Sequence, residues 1–410
     1  VANNFANPNW VALRILWFLE NMLEVAKLFN DTFETEFKRP FPVGSSFSIK
    51  LPQSWLVGDG LGYDPQGINR LVTTINLDKI KHIHFEWDSY EKLVKMERSE
   101  KELDESYFEP AARQLAQQVD SDAALFAYQN ASNVFGTLGT DATTLSPYTA
   151  AERRLYEKAC PEGERVMAVS PSLMEAFVKN NVTQFNPTKE ISDMFRKGVV
   201  GTAAGSTWYR SNSLYKHTAG TAATHSTTVT GAGQSGSSLS ITGTNADTIK
   251  VGDKFSIASV NGVNPRTRRA GSMGAQHFTV TSDLTLTAGP DTLNFLPSIY
   301  GPGSQYQNVD ALPGNAAALT WWPGTASPSG AAGLVSLLIT KYAFAVAYGK
   351  FEVPKAVEDA QGATDPETGC SMRFVRAWDQ KESKMTNRYD MCYGFGNLYQ
   401  DNGAVAIAGA

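Results

Sequence analysis

The sequence predicts an α+β chain in which an all-β domain interrupts an α/β one, and three stretches carry that prediction. Residues 108–133 (FEPAARQLAQQVDSDAALFAYQNASN) keep helical periodicity without a break. Residues 147–180 read helix, strand, helix. Between residues 221 and 328 Gly, Ser and Thr displace the helix formers, and short β-prone runs follow one another between turns.

Taken in order, residues 1–38 read as an N-terminal arm. Its segment 9–30 reads as an amphipathic helix with Trp10, Leu13, Leu16, Met22, Val25 and Phe29 along one side, widened by Phe18, Leu19 and Leu28. Such a stripe packs on its own domain or docks on a neighbouring subunit, and the residues leave both open. Residues 39–87 read as a two-stranded ribbon. Phe47, Ile49 and Leu51 alternate before Pro52, and a return strand over 73–87 alternates through Ile75, Leu77, Ile83 and Phe85. The tip between them, GDGLGYDPQG with Tyr63 inside it, is rich in turn residues, and Trp55 and Leu56 near it have no evident partner within the subunit. An isolated ribbon of two strands is marginal in water, so this one should lie against something.

Residues 88–146 hold the long helix. Ala112, Leu115, Ala116, Val119, Ala123, Phe126 and Ala127 recur at three and four, with Arg113, Gln117, Asp120 and Ser121 on the other side. Pro110 suits the first turn and Gly136 the region past the end. At ~1.5 Å per residue the rod spans roughly 40 Å. An α/β layer occupies 147–220, the β insert 221–328, a second α/β part 329–370, and strands 371–410. Within the insert the runs SLSITG, DKFSIASV, HFTVTS, LTLTAG and AALTWW read as strands, and 219–245 reads as a linker followed by edge strands.

Composition bounds the function classes. With 42% hydrophobic and 19% charged residues among 410, the chain is of ordinary soluble type. A net charge of −5 gives no bulk attraction to nucleic acid or anionic membrane. Cys160, Cys370 and Cys392 lack any C-x-x-C spacing, which points to a reducing compartment rather than a disulfide framework or zinc site. The apolar N-terminal run contains Arg14 and Glu20, so it reads as neither signal peptide nor membrane span.

No constellation for catalysis emerges. His82 and His84 share a strand face but have no third ligand nearby. GDGLG is not followed by a helix, and Ser272 and Ser235 lack the strand-to-helix turn of a nucleophile elbow. Cys160 reads as a buried small hydrophobe. The chain is therefore expected to be no enzyme, with no catalytic, cofactor or metal residues. Arg266, Arg268 and Arg269 form the densest basic cluster, on a loop that is either simply solvated or salt-bridged to an acidic neighbouring surface.

The order of parts, with FPVGSSFSIKLP, FEPAARQLAQQVDSDAAL, AAGSTWYRSNSLYKHTAG, GDKFSIASVNGV, YQNVDALPGNAAALT and GCSMRFVRAWDQKESKMTNRYDMCYG, resembles a tailed-bacteriophage major capsid protein. That resemblance implies the Hong Kong 97 phage capsid fold: N-arm, extended E-loop, peripheral domain with spine helix, and axial domain. The β insert is similar to the barrel of the short-tailed-phage coat-protein subgroup. There a long early loop bridges capsomers, and only 231–237 stands in its place here, which leaves the 266–269 loop as a candidate for part of that role.

The resemblance further implies self-assembly into hexamers and pentamers, an icosahedral shell, and packaged double-stranded DNA contacted non-specifically. It implies a portal protein and a separate scaffolding protein, since no scaffolding region precedes Asn9, and assembly in the bacterial host cytoplasm. It implies no cofactor and no membrane. The implied assembly interface comprises Trp10, Leu13, Leu16, Met22, Trp55, Leu56, Tyr63, Arg266, Arg268 and Arg269. Two rivals are an encapsulin-like compartment around a cargo enzyme and, more remotely, a hydrolase with an appended β domain.

Overall fold

The computed structural model describes residues 16–17, 19, 23–30, 46–58, 60–62, 65–88, 109–161, 163–181, 201–322, 331–353, 359–364, 370–381, 383–401 and 403–409. The chain divides into two compact units, one of Val1–Ile49, Thr73–Ala123 and Ala345–Gly396, the other of Lys50–Val72, Ala124–Phe344 and Asn397–Ala410.

In the first unit the long strand Lys384–Asn397 is central. Ser371–Asp379 and then Asp359–Thr364 lie antiparallel on one side, and Lys79–Asp88 pairs along the other with Ile83 opposite Tyr389. The return strand expected over 73–87 is instead two strands, Val72–Asn76 and Lys79–Asp88. Beside the break, the first of these strands is packed tightly on the long strand. The chain at Asn76 runs so close to Gly394 that a β-carbon there would sit 1.9 Å from the Asn76 carbonyl oxygen, and one on Gly396 would meet Ile75 at 2.4 Å.

Helix α1 (Glu109–Asn130) contributes its first part to this unit. Ala112, Leu115, Ala116, Val119 and Ala123 are buried as their spacing requires. Asp120, expected on the polar side, is also buried. Its Oδ1 accepts from the amides of Val25 (3.0 Å) and Ala26 (2.9 Å), and its Oδ2 from Glu24 (2.8 Å). Those bonds explain why the helix expected over 9–30 is not continuous at its end. Residues 26–28 make only a 3-10 turn, because a carboxylate satisfies amides that a continuing helix would use. The amide of Val346 bonds the Asn30 carbonyl, and Phe29 meets the Phe395 ring edge-on at 5.6 Å. Burial pushes the Asp120 carboxyl up to about 6 against these three bonds.

The second unit is built on a sheet ordered Asn133–Phe135, Ala404–Ala408, Ala332–Thr340, Arg165–Val169, Ser206–Arg210, Thr202–Ala203, with Lys216–Thr218 pairing the start of Ala332–Thr340. Helices α2 (Ser146–Glu157) and α3 (Pro171–Asn181) close over it, and Tyr148, Leu155, Phe177, Trp208, Leu338 and Val405 share one core.

The inserted domain is a closed barrel of Gly236–Thr242, Asp291–Ile299, Ala270–Val280, Lys254–Val263, Ala318–Trp322 and Thr227–Val229. Its interior is lined by the inward parity of each strand, centred on Phe255, Phe278, Phe295 and Trp321. The edge strands expected within 219–245 are not edges. Gly236–Thr242 and Thr227–Val229 each pair on both sides, which is what closure means. LTLTAG contributes only Leu284–Thr285, paired outside the barrel with Thr248–Ile249.

Candidate assembly surface

Three buried cations, Arg154, Lys158 and Lys254, connect the barrel to the rest of its unit. Lys254 lies next to Phe255 and so faces out of the barrel, toward the end of α1. Its ammonium donates to the carbonyls of Tyr128 (3.0 Å) and Ala131 and to Thr279 Oγ1 (3.1 Å). The last carbonyls of a helix lack partners and carry negative partial charge, so a cation there satisfies both needs. Tyr128 Oη in turn donates to the Gly252 carbonyl at 2.8 Å.

On α2, Arg154 donates to Asn133 Oδ1 (3.0 Å) and to the carbonyls of Met273 and Ala275. Lys158 reaches Asp401 Oδ2 at 2.8 Å and Gln276. Burial lowers both Arg154 and Lys158, with Asp401 opposing, and pushes Lys254 down to about 7. Burial, then these three cations, depress His277 to about 3. The ring is neutral at ordinary pH, and its Nδ1 accepts from the Val134 amide at 3.3 Å.

From this base one loop reaches the ribbon. Asn264 donates to the Glu157 carbonyl at the end of α2 (2.7 Å), while its Oδ1 accepts from the amides of Arg266 (2.9 Å) and Thr267 (3.2 Å). That Asx turn brings Arg268 round in left-handed geometry, φ 54°. Arg268 Nη2 then donates to the Trp55 carbonyl at 2.9 Å and the Gln305 carbonyl at 3.2 Å. Gln305 donates to the Gly67 carbonyl at 3.3 Å, and Tyr306 Oη to that of Asn69 at 2.5 Å. The ribbon therefore has partners within its own subunit, contrary to the sequence expectation. They were invisible because every acceptor is a main-chain oxygen.

The ribbon is also stiffened internally. Leu51 donates to the Leu71 carbonyl, and the Gln66 amide bonds both the N–H and the C=O of Leu56 at 2.8 and 2.6 Å, imitating a strand partner. Its apolar side chains stay outside. Trp55 is 54% exposed, Val57 91%, Ile68 78%, and Leu61 is fully exposed. Four large apolar side chains exposed on one ribbon suggest an interaction surface.

Among the implied interface residues, Trp55 is exposed and Leu56 half-buried on this ribbon, Arg266 and Arg269 are exposed, and Arg268 is engaged with carbonyls rather than acids. Leu16 is 3% exposed in the single chain, so it packs inward. Trp10, Leu13, Met22 and Tyr63 lie outside the described residues. His82 and His84 stack at 5.7 Å on an exposed strand face, and among the described residues no group of three ligating side chains could hold a metal. No described helix is long and apolar enough to cross a membrane.

A ribbon, a long helix, an α/β sheet and an inserted closed barrel, in this order along the chain, define the Hong Kong 97-type capsid fold with an inserted all-β domain. The chain is similar over most of its length to a solved structure from Mycobacterium phage Che8, at 13% identity and TM-score 0.50, covering 95% of this chain and 92% of that one. It is also similar to the capsid structure of the cyanophage P-SCSP1u (12% identity, 91% and 85% covered, TM-score 0.44). A third likeness is to the mature capsid of bacteriophage PhiM1 (10% identity, 89% and 82% covered, TM-score 0.42). No family model matches the chain, and no curated protein does.

Proposed function

We propose that the chain is a major capsid protein, a shell subunit that self-assembles into hexamers and pentamers of an icosahedral particle around packaged double-stranded DNA. The observation that carries this is the ribbon, whose Trp55, Val57, Leu61 and Ile68 are exposed to water in the single chain while its Leu56 and Gln66 are hydrogen-bonded across it. Such exposure is costly unless a neighbour covers it, and obligate shell contacts of ~2,000 to 5,000 Å² would do so.

On this reading Trp55, Leu56, Tyr63, Arg266 and Arg269, with the arm residues Trp10, Leu13 and Met22, belong to assembly contacts, while Leu16, buried in the single chain, and Arg268, bonded to the Trp55 and Gln305 carbonyls, act within the subunit. A net charge of −5 suits a wall that touches DNA without gripping it. Scaffolding and portal proteins would be the partners, and the host cytoplasm the place of assembly. Electron microscopy of the expressed chain is the test. Closed regular shells are the expected result, and a monodisperse 44.5 kDa monomer under all conditions would overturn it. Nuclease-resistant DNA inside native particles, rather than one co-purifying enzyme, separates a capsid from a cargo compartment.

A further inference from the structure

The loops 264–269 and 300–308 of the barrel are joined to each other. Val263 donates to the Asn308 carbonyl at 3.1 Å, Asn308 Oδ1 accepts from the Tyr300 amide at 2.9 Å, and Arg268 bonds Gln305. Together they present three donors, Arg268, Gln305 and Tyr306, to three ribbon carbonyls, Trp55, Gly67 and Asn69. The carbonyls lie on both limbs of the ribbon, so the contacts restrain the path of the whole ribbon rather than one residue.

We propose that these two loops are a seat that aims the ribbon, so that the inserted barrel acts in assembly by setting the direction of its own chain's arm. Backbone acceptors suit that task. They hold the ribbon's course while leaving its apolar side chains free for a second copy of the chain. The barrel that carries the seat is itself anchored, through Asn264 to the end of α2, through Lys254 to the end of α1 and through Arg154 to Asn133 of the sheet, so its orientation derives from buried contacts as well as from a surface loop. The consequence for assembly rests on the shell reading above, whereas the seat does not.

The test uses the full chain carrying Arg268→Ala, Gln305→Ala and Tyr306→Phe together, with Lys250→Ala, an exposed position of the inserted domain outside the barrel strands, as control. Hydrogen exchange by mass spectrometry reads the seat directly. Amides of residues 50–72 should exchange about ten-fold faster in the triple variant while those of 227–322 keep wild-type rates. Unchanged exchange in 50–72 would overturn the seat. Negative-stain microscopy reads the consequence: the triple variant should give no shells or shells of mixed diameter, where the control matches wild type. Shells of wild-type yield and diameter from a variant whose ribbon has been released would overturn the aiming role. Absence of shells from the wild-type chain would instead defeat the shell reading, and the exchange result would still decide the seat.

Discussion

The ammonium of Lys254 donates to the main-chain carbonyl of Tyr128 at 3.0 Å, so that a strand of the inserted barrel closes the end of helix α1. The barrel is thereby coupled to the scaffold by charge as well as by apolar contact. Replacing Lys254 by Met should cost about 1–3 kcal/mol at pH 7, because the Tyr128 carbonyl loses its cation in a buried site. The wild type carries a pH signature too. Burial lowers Lys254 to about 7 in the fold from 10.5 in the unfolded chain, so the unfolded chain binds more protons in that window. Stability should therefore rise from pH 7 toward 10.5, by up to about 5 kcal/mol. Urea denaturation at pH 7, 8.5 and 10 checks both statements, since the Met variant should lose the slope.

Asp120 gives the opposite signature. Its carboxyl is raised from 3.8 to about 6, so the folded chain binds the extra proton, and stability should fall as pH rises through that interval, by ~3 kcal/mol. Asp120→Ala should abolish the slope and speed exchange of the Glu24, Val25 and Ala26 amides that the carboxylate now holds. A variant with an unaltered pH 4–6 profile would show that Asp120 is not the titrating group.

Trp55→Ser with Leu56→Ser removes apolar surface from the ribbon and leaves the seat's backbone acceptors in place. The melting temperature should stay within about 2 °C of wild type, as for surface changes, while closed shells disappear. Calorimetry and light scattering on one preparation separate the two effects.

Gly394→Ala should destabilise the first unit by more than about 3 kcal/mol. Its β-carbon would meet the Asn76 carbonyl oxygen at 1.9 Å, and backbone cannot yield as a flexible side chain can. Thermal unfolding followed by circular dichroism reads the loss.

Features that repeat along the chain were legible in it. The periodicity of α1, the helix–strand–helix of 146–181 and most barrel strands follow from residue spacing alone. Asp291–Ile299 escaped because Pro297 falls inside it, and proline argues against a strand. Asp120 was misplaced because a charge in an Ala-rich helix reads as solvent-facing until the amides of residues 24–26, about a hundred positions away, are known. The same holds for Lys254 and for the seat. Their acceptors are peptide carbonyls, which every residue possesses and no residue type reveals. A faint signal did exist. Lys254 occupies the outward parity beside Phe255, and Asn264-Pro265 announces a turn able to carry an arginine.

The barrel departs from and rejoins the sheet at strands that are neighbours, with Thr218 directly opposite Ala332. Its two attachment points are thus one strand spacing apart, about 5 Å. A short hairpin would span that gap as well as a folded module does. The insert is thus joined to the sheet at a single pair of neighbouring strands. A foreign domain whose termini lie equally close would match the joint in geometry alone. Such a chimaera would bring neither the cation that closes α1 nor the loops that grip the ribbon, so what the graft supplies beyond bulk becomes separable from what the scaffold does alone.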